Sequence, residues 1–187
     1  MIYEAVLISR NADGGRHIVP MGYREQGDEV LLAPFRPSRT LDNLERTGQA
    51  VLNLTDNVAI IAGCLTGRTV WPVLPARDVA GERLADALAH RELEVTSVEP
   101  DEQRPRFVCR VRHAENHRPF KGFNRAQAAV IEAAILVTRL DRLSIAKIDS
   151  EVDYLRIAIE KTAGPQEQLA WAWLMERIAA SRAGHSQ

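Results

Sequence analysis

Only two cysteines occur in the 187 residues, Cys64 and Cys109, in separate predicted elements and without CxxC spacing. That excludes a disulfide scaffold and a thiolate metal motif, and two buried reduced thiols are expected. No block of like charge stands out either: 24 Lys and Arg are set against 25 Asp and Glu, a formal net charge of -1. Without a basic field, neither nucleic acid nor an anionic membrane is an expected partner. Every apolar run is broken by Arg, Glu or Asp before it reaches membrane-spanning length. Met1–Ser9 carries Glu4 inside its apolar stretch and has no basic leader, so a first strand is expected there and not a signal peptide, in a cytoplasmic protein. Internal repeats, low-complexity tracts, a GxGxxG fingerprint and a catalytic triad are all missing. What is present, 45% hydrophobic and 26% charged residues, has the balance of a globular chain with one good core or a core plus a small helical annex.

The first third has the rhythm of short strands parted by turn residues. Ile2–Ser9 runs into Asp13-Gly14-Gly15, a hairpin signal, and His17–Tyr23 reads as the return strand. Gly27-Asp28 marks the next turn and Glu29–Ala33 the third strand. A short helix over Thr40–Thr47 closes at Gly48, the residue type that best tolerates a left-handed C-terminal position, and Gln49–Leu54 is a fourth strand. Asp56 is expected to cap a helix over Asn57–Leu65, and the apolar spacing of Val79, Leu84, Ala87 and Leu88 predicts a helix over Val79–His90. Glu92–Glu99 and Arg106–His113 read as two more strands. Tight turns with one inserted helix predict an antiparallel barrel in an α+β, mainly β, fold.

From Asn124 the period changes. Val130, Ala133, Ala134, Val137 and Leu140 make one helical stripe behind an Asn124 cap, Val152–Thr162 a second helix, and Trp171, Leu174, Met175, Ile178 and Ala179 the stripe of a third that starts at Pro165. The expected division is a barrel domain over 1–121 and a helical segment over 122–187, fraying from Arg182 to Gln187.

The chemistry is concentrated at Phe35-Arg36-Pro37-Ser38-Arg39-Thr40-Leu41-Asp42-Asn43, a turn with two arginines and two hydroxyls that leads into a helix. Free N–H groups at a helix start carry partial positive charge and can hold a dianionic phosphate, with Arg36, Arg39, Ser38 and Thr40 as further donors. An ordinary capped helix with two solvated arginines accounts for the same residues equally well.

These residues, with His17-Ile18-Val19-Pro20-Met21-Gly22, Val51-Leu52-Asn53-Leu54-Thr55, Gly122-Phe123-Asn124-Arg125-Ala126 and Thr138-Arg139-Leu140, come in an order that resembles the FMN-binding split-barrel flavoproteins. The narrower resemblance is to the family called domain of unknown function 447. It implies a homodimer with FMN near the subunit interface, the phosphate on Ser38, Arg39 and Thr40 with Arg36 and Asn43 beside them, and the flavin ring along Pro20–Tyr23. Met21 and Gly22 are then expected to offer backbone groups, with Met21 and Phe35 lining the slot. Arg125 belongs to the narrower family's pattern. A small-molecule substrate, with NAD(P)H as a possible donor, makes the protein an oxidoreductase. A non-catalytic flavin-binding module, or a scaffold for another phosphate-bearing ligand, is the alternative.

Other candidates have plainer readings. His17 can serve as a proton donor beside the ring, but a solvated strand histidine is expected. His113-Ala114-Glu115-Asn116-His117 lacks the helical HExxH geometry and needs a further ligand, so no metal site is expected. Arg118, Lys121 and Arg125 form a basic cluster equally consistent with an anion site or a solvated loop. Trp171 and Trp173 are expected in the core or at a dimer contact, and Arg139, Asp141 and Arg142 in a surface ion-pair network.

Overall fold

The computed structural model describes residues 1–184. In chain order the elements are β1 (Tyr3–Arg10), β2 (Arg16–Gln26), β3 (Glu29–Leu32), α1 (Arg39–Thr47), β4 (Gln49–Leu54), α2 (Val58–Leu65), β5 (Val73–Pro75), β6 (Glu82–Leu84), β7 (Ala89–Glu99), β8 (Arg106–Asn116), α3 (Arg125–Val137), α4 (Ile145–Thr162) and α5 (Pro165–Gly184). They form two compact units, residues 1–55 with 70–120, and residues 56–69 with 121–184.

The first unit is an antiparallel barrel closed in the order β1-β2-β3-β8-β7-β4. Its first hairpin forms because Gly14 takes a φ of 83° at the tip, where Asn11 N donates to Gly15 O and Gly14 N to Asn11 O. Alternating side chains from the six strands fill the interior around Leu7, Leu32, Leu52, Leu93 and the fully buried Phe107. Cys109 is in the same core, where burial pushes its thiol up to about 12 and leaves it unreactive. Cys64 is only half-buried, short of the expected burial. Pairing with β3 reaches only Tyr23–Gln26, so residues 16–22 of β2 have a strand neighbour on the β1 side alone.

The expected helix over Val79–His90 is a correction. Residues 82–84 form β6, paired with β5, and residue 89 begins β7. Helix formation loses here because side chains from distant strands satisfy this segment's backbone donors. The Glu92 carboxylate accepts the N–H groups of Arg77, Asp78 and Val79, Gln49 that of Ala80, and Asn53 that of Leu84.

The second unit packs α2, α3 and α5 against one another, with α4 on α3. Asn57, not Asp56, caps α2, accepting from Ala59 N at 3.2 Å. The α4 helix starts at Ile145, earlier than the apolar pattern indicates, because Ser144 caps it through Lys147 N. Val130, Ala133, Ala134 and Val137 are buried as the stripe predicts. Trp173 lies under the Arg68 guanidinium, 4.4 Å from ring centroid to Cζ. Asp141 and Arg142 pair at 3.5 Å on the surface. The expected fraying is not seen at residues 182–184, which continue α5, and its remainder, 185–187, lies outside the described residues. None of the described helices is long and apolar enough to cross a membrane.

Candidate functional site

The basic turn ends where Ser38 caps α1, its Oγ accepting from Leu41 N at 3.2 Å. That cap deals with one first-turn donor; the amides of Arg39 and Thr40 precede the helical ladder and point to the helix start with their partial charge. Arg39 is exposed and has no hydrogen-bond or ion-pair partner among the described residues. An unpaired guanidinium on the same first turn as two free amides is a donor set that fits a phosphate. Asp42, exposed in the same first turn, is the one acidic group there.

Thr40 is buried, and its hydroxyl lies 3.1 Å from His17 Nε2, which joins the helix start to β2. His17 is therefore half-buried and bonded, not solvated as expected. Burial, and then the Arg39 charge, hold its pKa below 6.5. From His17 the strand runs to Met21 and Gly22, ~16 Å further at the rise of an extended chain, with the β3-side edge open over this stretch.

The structure sorts the remaining candidates. Asn43 is 3% exposed, and its amide donates to Ser9 Oγ and Asn11 Oδ1 at 3.0 Å each. Both donors are thus spent on pinning α1 to the end of β1. Arg36 reaches Glu45 at 3.3 Å across the exposed side of α1. The Met21 side chain belongs to the barrel core, so a ligand along β2 meets its backbone and not its thioether. Phe35 is 62% exposed and carries the Arg104 guanidinium 4.3 Å from its ring centroid, an arginine that also donates twice to Ala33 O. A Cβ on Gly22 would come within 3.1 Å of Ile2 Cγ2, so even a small side chain must displace that neighbour. Arg125 is exposed in the first turn of α3, in the second unit; Asn124 before it caps that helix and also donates to Thr162 O.

A second cluster was not foreseen as a unit. His90 and Glu92 on β7 face Glu115 and His113 on β8, and His117 follows on the same side. His90 is 2% exposed, with Nδ1 2.9 Å from His117 Nε2 and Nε2 3.2 Å from Glu92 Oε1. Burial alone would raise the Glu92 pKa. The N–H bonds from Arg77, Asp78 and Val79 and the His90 bond together outweigh it and hold the carboxyl below 4.5. His117 is held below 6.5 by burial, and further by the charges of Arg83 and His90. A sequence signal existed: both His90-x-Glu92 and His113-x-Glu115-x-His117 have the period of two that puts residues on one face of a strand.

A closed six-stranded barrel with a basic capped turn and a half-open strand beside it is the flavin-binding split-barrel class of fold. The family models divide the chain as an N-terminal domain over residues 3–118 and a C-terminal one over 124–176, both of the protein of unknown function DUF447. The chain belongs to the DUF447 family. A search of the curated proteins finds no match. Among solved structures, the FMN-bound DUF447 protein MM1853 from Methanosarcina mazei aligns over 94% of each chain at 16% identity with a TM-score of 0.80. Flavoredoxin from Methanosarcina acetivorans aligns over 62% of this chain and 69% of its own at 13% identity, TM-score 0.53. The 2-nitrobenzoate 2-nitroreductase NbaA of Pseudomonas fluorescens covers 61% and 64% at 16% identity, TM-score 0.52.

Proposed function

We propose that this protein binds FMN at the α1 start and along β2, and acts as a flavin-dependent oxidoreductase in a homodimer. The observation that carries the reading is the unpaired Arg39 side chain on the same turn as the free amides of Arg39 and Thr40, tied through Thr40 and His17 to a strand stretch without a partner on its β3 side. The FMN-bound relative of the same family supports the choice of ligand. Ser38, Arg39 and Thr40 hold the phosphate, while Arg36 is a peripheral charge and Asn43 supports the helix from below. Along β2, the backbone of Met21 and Gly22 faces the ring, and Phe35 offers an apolar edge. Arg125, exposed and without a partner among the described residues, is a further candidate for an anionic substrate or for the flavin phosphate of a second chain.

When bound, the flavin supplies two-electron redox chemistry, so the protein's part is to anchor, orient and exclude water. Half-buried beside the phosphate turn, His17 is neutral at pH 7 and gains affinity for a proton once a dianion sits next to Thr40. The homodimer is read from the resemblance to the split-barrel flavoproteins, with the basic turn and the β2 edge at the shared surface.

The experiment is a pair of titrations, FMN against riboflavin, followed by anaerobic addition of NADH or NADPH. Tighter binding of FMN than of riboflavin, and bleaching of the bound flavin by either donor, are expected. Equal affinity for the two flavins removes the phosphate cradle. Binding without reduction by either donor would leave a flavin carrier in place of a nicotinamide-fed enzyme.

A further inference from the structure

Five ionisable side chains converge on one face of β7 and β8, and the flavin reading uses none of them. The strand period puts His113 and Glu115 on one side of β8, with Glu115 opposite His90 and His113 opposite Glu92, and His117 lies just past the strand's end against His90. Glu92 is fully buried and has little capacity left for an ion. Its oxygens take the N–H groups of Arg77, Asp78 and Val79 at 2.7, 2.5 and 3.0 Å, and His90 Nε2 stands 3.2 Å away. A carboxylate so placed accepts the Nε2–H of His90, which fixes the tautomer and leaves Nδ1 as a lone pair. That lone pair faces His117 Nε2 at 2.9 Å. Two imidazole nitrogens this close, one of them unable to donate, must share either a proton or a cation.

We infer that His90 Nδ1, His117 Nε2 and the Glu115 carboxylate form a binding site for a divalent transition metal of the zinc class. The three ligand atoms all lie within 4.8 Å of one another. Tetrahedral zinc bound by imidazole nitrogens at ~2.0–2.1 Å sets its ligands about 3.3 Å apart, so the two histidines need to move only a few tenths of an ångström. Glu92 then has the place of the outer carboxylate that orients a metal-bound histidine and raises its basicity. Two imidazoles and a carboxylate suit Zn²⁺, with Ni²⁺ and Cu²⁺ as competitors in vitro. A fourth position remains, and His117 also lines a ≈ 600 Å³ depression with Leu88, Asn116 and Arg118, so space for water or a small ligand adjoins it. A rival set, His90 with Glu92 and His113, satisfies the same distance condition. It requires Glu92 to release backbone donors that hold the loop at 77–79, which disfavours it.

The test uses the purified full chain, stripped with a chelator, desalted, and titrated with Zn²⁺ against a chromogenic zinc indicator. One zinc per chain at micromolar affinity or tighter is expected, with His117→Ala and Glu115→Gln each weakening it by roughly 100-fold and His113→Ala leaving it unchanged. Both ligand variants alter half-exposed or exposed side chains, and thermal melting without metal checks that they fold. Wild-type protein that fails to compete with the indicator overturns the site, as does undiminished binding in both variants, which would place the zinc elsewhere. Loss in His113→Ala with retention in Glu115→Gln overturns the ligand assignment in favour of the rival set. None of these readouts depends on flavin.

Discussion

Replacing Arg39 by alanine removes a side chain of the turn that no described residue bonds. Its guanidinium has no partner among the described residues, so the loss falls on the ligand and not on the protein. A hydrogen bond to a charged group contributes ~1.5–3 kcal/mol. Arg39 is exposed, and solvent screening reduces an ion pair there, which places the expected loss at about 1.5–2 kcal/mol. That corresponds to a Kd for FMN raised about 10- to 30-fold. Quenching of FMN fluorescence measures it, at low ionic strength and again near 0.15 M salt, where screening over ~8 Å should shrink the difference. Riboflavin affinity should not change, because it has no phosphate. A second readout needs no flavin: with the Arg39 charge gone, the His17 pKa should move up toward 6.5 and stay below it, since burial is the larger cause. An unchanged FMN Kd in a variant with native melting refutes the cradle. Equal weakening of FMN and riboflavin places Arg39 at the ring.

Further expectations follow from the same contacts. Asn43→Ala, which strips Ser9 and Asn11 of their donor, should destabilise the protein by about 2 kcal/mol in urea unfolding; no loss would mean the helix is pinned otherwise. Glu92→Gln puts an amide where three backbone donors need acceptors and should cost about 3 kcal/mol, with faster hydrogen exchange at residues 77–79. Stability should fall as pH drops below 6.5, because His17 and His117 have lowered folded pKa values and the unfolded chain binds their protons first. The Glu92 contribution, present above 4.5, is lost in addition as pH falls through its lowered folded value. His17→Gln should flatten the first limb, and an identical slope would deny His17 its part. Sedimentation should give twice the 20.9 kDa chain mass; a monomer that still holds FMN would contradict the shared site.

Where local chemistry decides, the sequence was readable. Asp13-Gly14-Gly15 and Gly27 set the hairpins, Gly48 closes α1, and the stripe from Val130 to Val137 faces inward in α3. The basic turn was visible for the same reason, since its residues are contiguous. The segment over 79–90 was not, because Val79, Leu84 and Ala87 are buried on a scaffold of distant acceptors, Glu92, Gln49 and Asn53, that no local period encodes. That error also hid His90. Placed on a helix, it had no relation to Glu115 and His117; on β7, it faces both. The surroundings of the Met21 and Asn43 side chains were hidden for a different reason. A motif gives residue types, but whether a side chain points into the barrel or is already bonded is set by strand register and by β1.

The most direct test of the central claim is the visible absorption spectrum of the purified chain after incubation with FMN and desalting. Flavin bands that survive at about one per chain are the predicted result. A spectrum without them after reconstitution would contradict FMN binding and leave only the fold.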